Sequence, residues 1–149
     1  MNDAWATDWL GRFSGNEPTS LIELYAEDAR FEDITLRHAV RGRPALREFF
    51  GAFMNPAHRR NTFTFISYSG NAYGGAIEWT WTARHRAPFL DLPAEGKETR
   101  IRGVSVVRFK AEKIVEQRDY WDARTLIQQL DGGAGEANKP MQRTAGGRR

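Results

Sequence analysis

The chain has 149 residues, with 22 Lys and Arg against 19 Asp and Glu, nine Phe, five Trp, four Tyr and no Cys. That length suits one domain with a substantial core, and the lack of cysteine excludes disulfides, thiolate nucleophiles and zinc–thiolate sites. The net charge of +3 does not mark a nucleic-acid surface, because Lys139, Arg143, Arg148 and Arg149 gather the excess near the C-terminus and residues 1–130 are about neutral.

Trp5, Trp9 and Phe13 recur every fourth residue beside Leu10, which predicts an amphipathic helix over about 3–13. Ser14-Gly15-Asn16 breaks it. Pro18-Thr19-Ser20 opens a second helix running to about Tyr25, with Leu21, Leu24 and Tyr25 inward. Arg30–Asp33 reads as a short strand. Gly42-Arg43-Pro44 leads into a third helix, Ala45–Phe53, which ends before Asn55-Pro56. The chain then turns to strands: Thr62–Ser69, Ala76–Arg86, Glu98–Phe109 and Ile114–Asp122, the last two closed by a turn at Lys110–Lys113. Pro88–Gly96 is a loop with an apolar rim. A last helix covers Ala123–Leu130, and the Gly-rich, basic segment 131–149 is expected to be disordered. Segregated helices and strands imply an α+β fold, with three N-terminal helices packed on a curved, mostly antiparallel sheet as a cone open at one end. Such a cone offers a ligand pocket.

Strand parity locates the chemistry. Val115, Gln117, Asp119 and Trp121 share one face of their strand, as do Gly103, Ser105, Val107 and Phe109, and Ile77, Trp79 and Trp81. If these faces are concave, Asp119 sits among Trp79, Trp81 and Trp121. Indole walls strip hydration from a carboxylate and raise its pKa, which makes it useful as a general acid or base near neutrality. The competing reading pairs Asp119 with Arg84, Arg102 or Arg118 as a structural ion pair. Asp33 competes with a strand-end turn role, Ser105 with a small filler, Trp9 with plain core, and Gln117 with a structural amide. His38, His58 and His85 show no metal spacing, and His85 reads as surface beside Arg84 and Arg86. The Arg59-Arg60 pair and Arg41, Arg43 and Arg47 read as a solvated face before an anion site. No metal, nucleotide or other cofactor is expected. No run is long and apolar enough to span a bilayer, and the start lacks a signal-peptide pattern, so the expected location is the cytoplasm, away from the membrane.

The segment LYAEDARFEDITLRHAVRGRPALREFF resembles the ketosteroid isomerase family, and EKIVEQRDYWD resembles the closing strand of SnoaL-like polyketide cyclases and of limonene epoxide hydrolase. All belong to the nuclear transport factor 2-like superfamily, an α+β cone, and the resemblance spans about 3–130. It implies that Asp33 stands where the isomerase has its general base. The isomerase's oxyanion-hole tyrosine and aspartic acid fall at Trp9 and Ser105, so an indole N–H and a hydroxyl take their places. The hydrolase's Asp–Arg–Asp relay keeps one member, Asp119, with Trp79 and Trp81 at the other two positions, which speaks against an epoxide hydrolase. The cyclases are thought to work with a single acid/base aspartate, a role that falls to Asp119.

The expectation is a cofactor-free isomerase, cyclase or dehydratase acting on an apolar carbonyl compound. Asp119 and Asp33 move protons and Ser105 with Trp9 supports an enolate. Trp79, Trp81 and Trp121 hold the apolar body, with Gln117 as a further ligand contact. The alternatives are a non-catalytic binder using the same pocket and a structural domain. A homodimer through the outward residues Val104, Val106 and Tyr120 is compatible with each.

Overall fold

The computed structural model describes residues 1–131. The expectation for the basic tail therefore lies outside the described residues, save for Asp131. Helix α1 (Asp3–Phe13) starts where the Asn2 side chain accepts from the Trp5 N–H, and Asp3 and Arg12 sit at the ends that the helix dipole favours. Its Ala6, Trp9, Leu10 and Phe13 are buried. After one short turn, α2 (Thr19–Ile22), the chain enters β1 (Tyr25–Asp33) and the edge strand β2 (His38–Arg41). Gly42, at φ 91°, turns the chain into α3 (Arg43–Met54), which buries Leu46, Phe50 and Met54. A left-handed φ is cheap only for glycine.

Four long strands follow: β3 (Arg59–Asn71), β4 (Gly74–His85), β5 (Glu98–Lys110) and β6 (Lys113–Trp121). The order across the sheet is β2-β1-β6-β5-β4-β3. Among the described residues only the β1–β6 pairing is parallel. Register shifts within β1–β6, β3–β4 and β5–β6 bend the sheet. The curved sheet holds α1 and α3 against its concave face, with a core running from Trp9 and Phe13 through Phe50 to Trp79 and Trp81. The closing helix α4 (Ala123–Leu130) is capped by Asp122, and its Gln129 exchanges two hydrogen bonds with the Arg100 backbone.

The α+β cone is as expected; three local readings change. The second helix ends at Ile22, because Tyr25 instead pairs with Ile114 and the Ile114 N–H donates to the Leu24 carbonyl. Pairing within the sheet overrides the helical spacing of Leu21, Leu24 and Tyr25. β2 was not expected, since four mostly exposed residues show no apolar alternation. In β6 the shift at Phe109 puts Ile114, not Val115, into the core; parity holds only from Gln117 onward.

Candidate active site

The concave face of the sheet, α3 and the β4–β5 loop enclose a cavity of about 300 Å³. Its walls are aromatic: Phe31 from β1, Phe49, Phe50 and Phe53 from α3, Phe63 from β3, Trp79 and Trp81 from β4, Phe89 from the loop and Trp121 from β6. Its polar groups are Asp33, Asp119, His58 and Arg59. Few polar groups in an apolar hollow is the usual make-up of a small-molecule site.

Asp33 and Asp119 are partners in the parallel β1–β6 pairing, so adjacent strands present both carboxyls at one level of the cavity. Asp119 Oδ1 accepts from Ser105 Oγ at 2.6 Å and from Gln117 Nε2 at 2.9 Å. Behind Ser105, Trp79 Nε1 donates to its Oγ at 3.0 Å. Behind Gln117, Tyr25 donates its hydroxyl to Oε1 and in turn accepts from Trp9 Nε1 at 3.2 Å. Every donor in these two chains points toward Asp119. Both recorded bonds fall on Oδ1, which leaves Oδ2 for a proton or a ligand.

Enclosure pushes the Asp119 carboxyl up to about 7; the Ser105 and Gln117 bonds oppose that rise and the Asp33 carboxylate adds to it. Burial also holds the Tyr25 phenol well above its ordinary range, so it stays a neutral donor. Asp33, only 7 % exposed, is raised by burial as well. Against that, Trp121 Nε1 reaches its two oxygens at 3.1 and 3.0 Å, and the Leu36 N–H reaches Oδ1 at 2.9 Å. Those donors favour the ionised form. The frame is fixed by the Ile34 N–H on the Asp119 carbonyl at 2.9 Å and by reciprocal bonds between Thr35 Oγ1 and the Trp121 backbone.

Asp33, Asp119, Trp79, Trp81 and Trp121 thus meet around one cavity. Ser105, Gln117 and Trp9 do not line it: Ser105 and Gln117 are buried behind Asp119, and Trp9 spends its N–H on Tyr25. An oxyanion role for Ser105 and Trp9 does not match this geometry, because both donors already have acceptors. The structural ion pair considered for Asp119 is absent among the described residues. Arg84, Arg102 and Arg118 lie one residue out of phase with the concave face and pair with Glu98, Glu78 and Glu116.

Two sequence readings are corrected. His85 is buried, 1 % exposed, because it continues the inward parity of Trp79, Trp81 and Ala83 and Phe89 folds over it. Arg59 is buried too, 7 % exposed, as the cross-strand partner of His85 at the inward start of β3; Arg60 alone is exposed. Tyr25 was missed as part of the site because it was placed on a helix. The cavity residues of α3, Phe49 and Phe53, are legible only as an apolar helix face.

Among the described residues, no group of three or more His, Asp and Glu is arranged for a metal ion, and no helix is long and apolar enough to cross a membrane. No curated protein matches the chain by sequence. Its structure is similar to that of a candidate SnoaL-like polyketide cyclase from Shewanella putrefaciens, with a TM-score of 0.75, 15 % identity, 87 % of this chain covered and 95 % of the other. A candidate polyketide cyclase from Xanthomonas campestris gives 0.74 at 17 % identity, covering 87 % and 99 %. A ketosteroid isomerase-like fold from Catenulispora acidiphila, in complex with trimethylamine, gives 0.73 at 17 %, covering 88 % and 95 %. At such identities these likenesses concern the fold alone. The sequence family described as the SnoaL-like domain matches residues 6–117, a span that includes Asp33 and Ser105 and stops two residues before Asp119. With three quarters of its length inside that match, the chain belongs to the SnoaL-like domain family.

Proposed function

We propose that the protein is a cofactor-free acid/base enzyme acting on an apolar carbonyl compound, by isomerisation, cyclisation or dehydration. The observation that carries this reading is the Asp33–Asp119 pair at one level of an aromatic cavity, with Asp119 held near neutrality. Environments that separate two carboxyls in pKa assign them to different roles. Asp33, held by the Trp121 indole N–H and the Leu36 backbone N–H, is the base that removes a proton from the carbon next to the carbonyl. Asp119, protonated up to about pH 7, gives its proton from Oδ2 to the carbonyl oxygen as the enol forms. The enol then gives its O–H proton back to Asp119, as Asp33 returns its own proton to another carbon in isomerisation, or as the deprotonated carbon attacks a second carbonyl whose oxygen takes the Asp33 proton in cyclisation.

In this reading Ser105 and Gln117 are positioning residues, since they hold Oδ1 of Asp119 and do not meet the substrate. Tyr25 and Trp9 hold Gln117. Trp79, Trp81 and Trp121 bind the apolar body. The outer face of β5 and β6, with Val104, Val106 and the 40 %-exposed Tyr120, is the surface through which we place a homodimer.

The test follows exchange of α-protons of cyclic enones and β-diketones in D₂O by NMR. The wild type should exchange them, and Asp33→Asn and Asp119→Asn should lose at least about a hundredfold while keeping ligand affinity. Exchange that survives in both variants would sink the assignment. Ligand binding without exchange anywhere in the panel would favour a non-catalytic binder, a use of this fold consistent with the trimethylamine complex of the Catenulispora protein.

A further inference from the structure

The end of the cavity away from the carboxyl pair holds a cation with no counter-charge among the described residues. Arg59 is 7 % exposed and lines the cavity. Its Cζ lies 4.9 Å from the Phe89 ring centre and 5.5 Å from that of Phe53. Nη1 donates to the Phe53 carbonyl at 2.7 Å, and Nε is buried without a partner. Among the described residues no carboxylate pairs with it. Its ionisable neighbours are His58 at the cavity rim and His85 across the ladder, whose Nε2 is engaged with Thr99 and whose Nδ1 is also unpartnered. Neither supplies negative charge.

A guanidinium stays ionised in a protein. Two aromatic faces stabilise it in part, but a buried charge without a compensating one is costly. The carboxyl end and the cationic end are joined by one row of rings. Trp121 holds Asp33, Trp81 lies 6.2 Å from Trp121 and 5.7 Å from Phe89, and Phe89 flanks Arg59.

We infer that the cavity takes an apolar ligand carrying a carboxylate, with that carboxylate on Arg59 and the opposite end of the molecule at Asp33 and Asp119. The guanidinium, whose Nη2 makes no hydrogen bond among the described residues, can donate to a carboxylate. The negative charge at the other end, on Asp33, repels the anion and fixes the orientation. This deepens the proposed function by naming the substrate class, and it rests on the cavity being a ligand site but not on turnover.

The test compares 2-naphthylacetate with its methyl ester by calorimetry and by the indole N–H shifts of Trp79, Trp81 and Trp121. Wild type should bind the acid at least about tenfold more tightly than the ester, the size expected of a charged hydrogen bond. Arg59→Met should remove that preference and leave ester binding intact. Arg59→Lys should keep part of it, and Arg60→Met all of it. Equal binding of acid and ester by the wild type, or a preference that survives Arg59→Met, overturns the inference while leaving the proton-transfer reading standing. If Arg59→Met fails to fold, Arg59→Gln takes its place, with the same loss of preference expected and a surviving preference overturning the inference. Failure of both compounds to bind removes both the inference and the ligand-cavity reading. Acid preference without α-proton exchange removes only the enzyme.

Discussion

Replacing Asp119 by Asn separates the charge of the site from its shape. In the unfolded chain this carboxyl titrates at 3.8; in the folded protein it does so at about 7. Between those values the unfolded chain has released a proton that the folded protein retains. Stability therefore falls as pH rises from about 4, and the loss is complete above about 7. At about 1.4 kcal/mol for each tenfold in proton concentration, the separation amounts to about 4 kcal/mol as an upper limit. Asn keeps the shape, and its Oδ1 still accepts from Ser105 and Gln117, so the variant lacks the charge penalty while retaining those bonds. Asp119→Asn should thus be more stable than wild type at pH 8, by up to about 4 kcal/mol, or roughly 10 °C in Tm for a chain of this size. The gap should shrink toward pH 4. The assay is urea unfolding of both proteins from pH 4 to 8.5, read as the difference at each pH. His85 titrates in both proteins and cancels in that difference. A difference that is flat across this range, or larger on the acid side, would refute the account of Asp119.

His85 should show the opposite slope. Burial, with Arg59 adding to it, holds its ring neutral down to about 4, against 6.5 in the unfolded chain. As pH falls from about 6.5 to 4 the unfolded chain gains a proton that the folded protein refuses, so stability drops by up to about 3 kcal/mol. His85→Gln should lose this acid sensitivity, and unfolding curves at pH 4.5 and 7 will show whether it does. Gly103 lies under the Trp79 indole, where a Cβ would stand 2.3 Å from Cη2 and 2.6 Å from Cζ3. Gly103→Ala should displace the indole from Ser105, cost about 1–3 kcal/mol and shift the tryptophan emission. An unchanged melting temperature and spectrum would show that the ring has room.

Much of the architecture is legible in the residues. The four-residue spacing of Trp5, Trp9 and Phe13 marks α1 to the residue, and the alternation of Ile77, Trp79 and Trp81 identifies the concave face of β4. These signals are strong because a face that must be buried repeats with the period of its own backbone. Parity also brings Asp119 among tryptophans before any coordinates exist, and followed two residues past Ala83 it would have turned His85 inward as well. The turn at Ala111 and Glu112, both at positive φ, is a two-residue hairpin whose sequence carries no glycine to announce it.

What the sequence determined by itself, then, is which faces are apolar and so which layers must meet. Only the tertiary structure decided which atoms meet across them. Tyr25 and Gln117 are 92 positions apart, and only the parallel pairing of β1 with β6 places the phenol behind Asp119 and Asp33 beside it. Arg59 looks like one half of a solvated Arg-Arg pair until the β3–β4 ladder turns it inward and the loop carries Phe89 over it. Periodicity is a local property of the chain. A hydrogen-bond partner, a buried charge or a raised pKa depends on register between distant strands, and that is set only when the whole core packs.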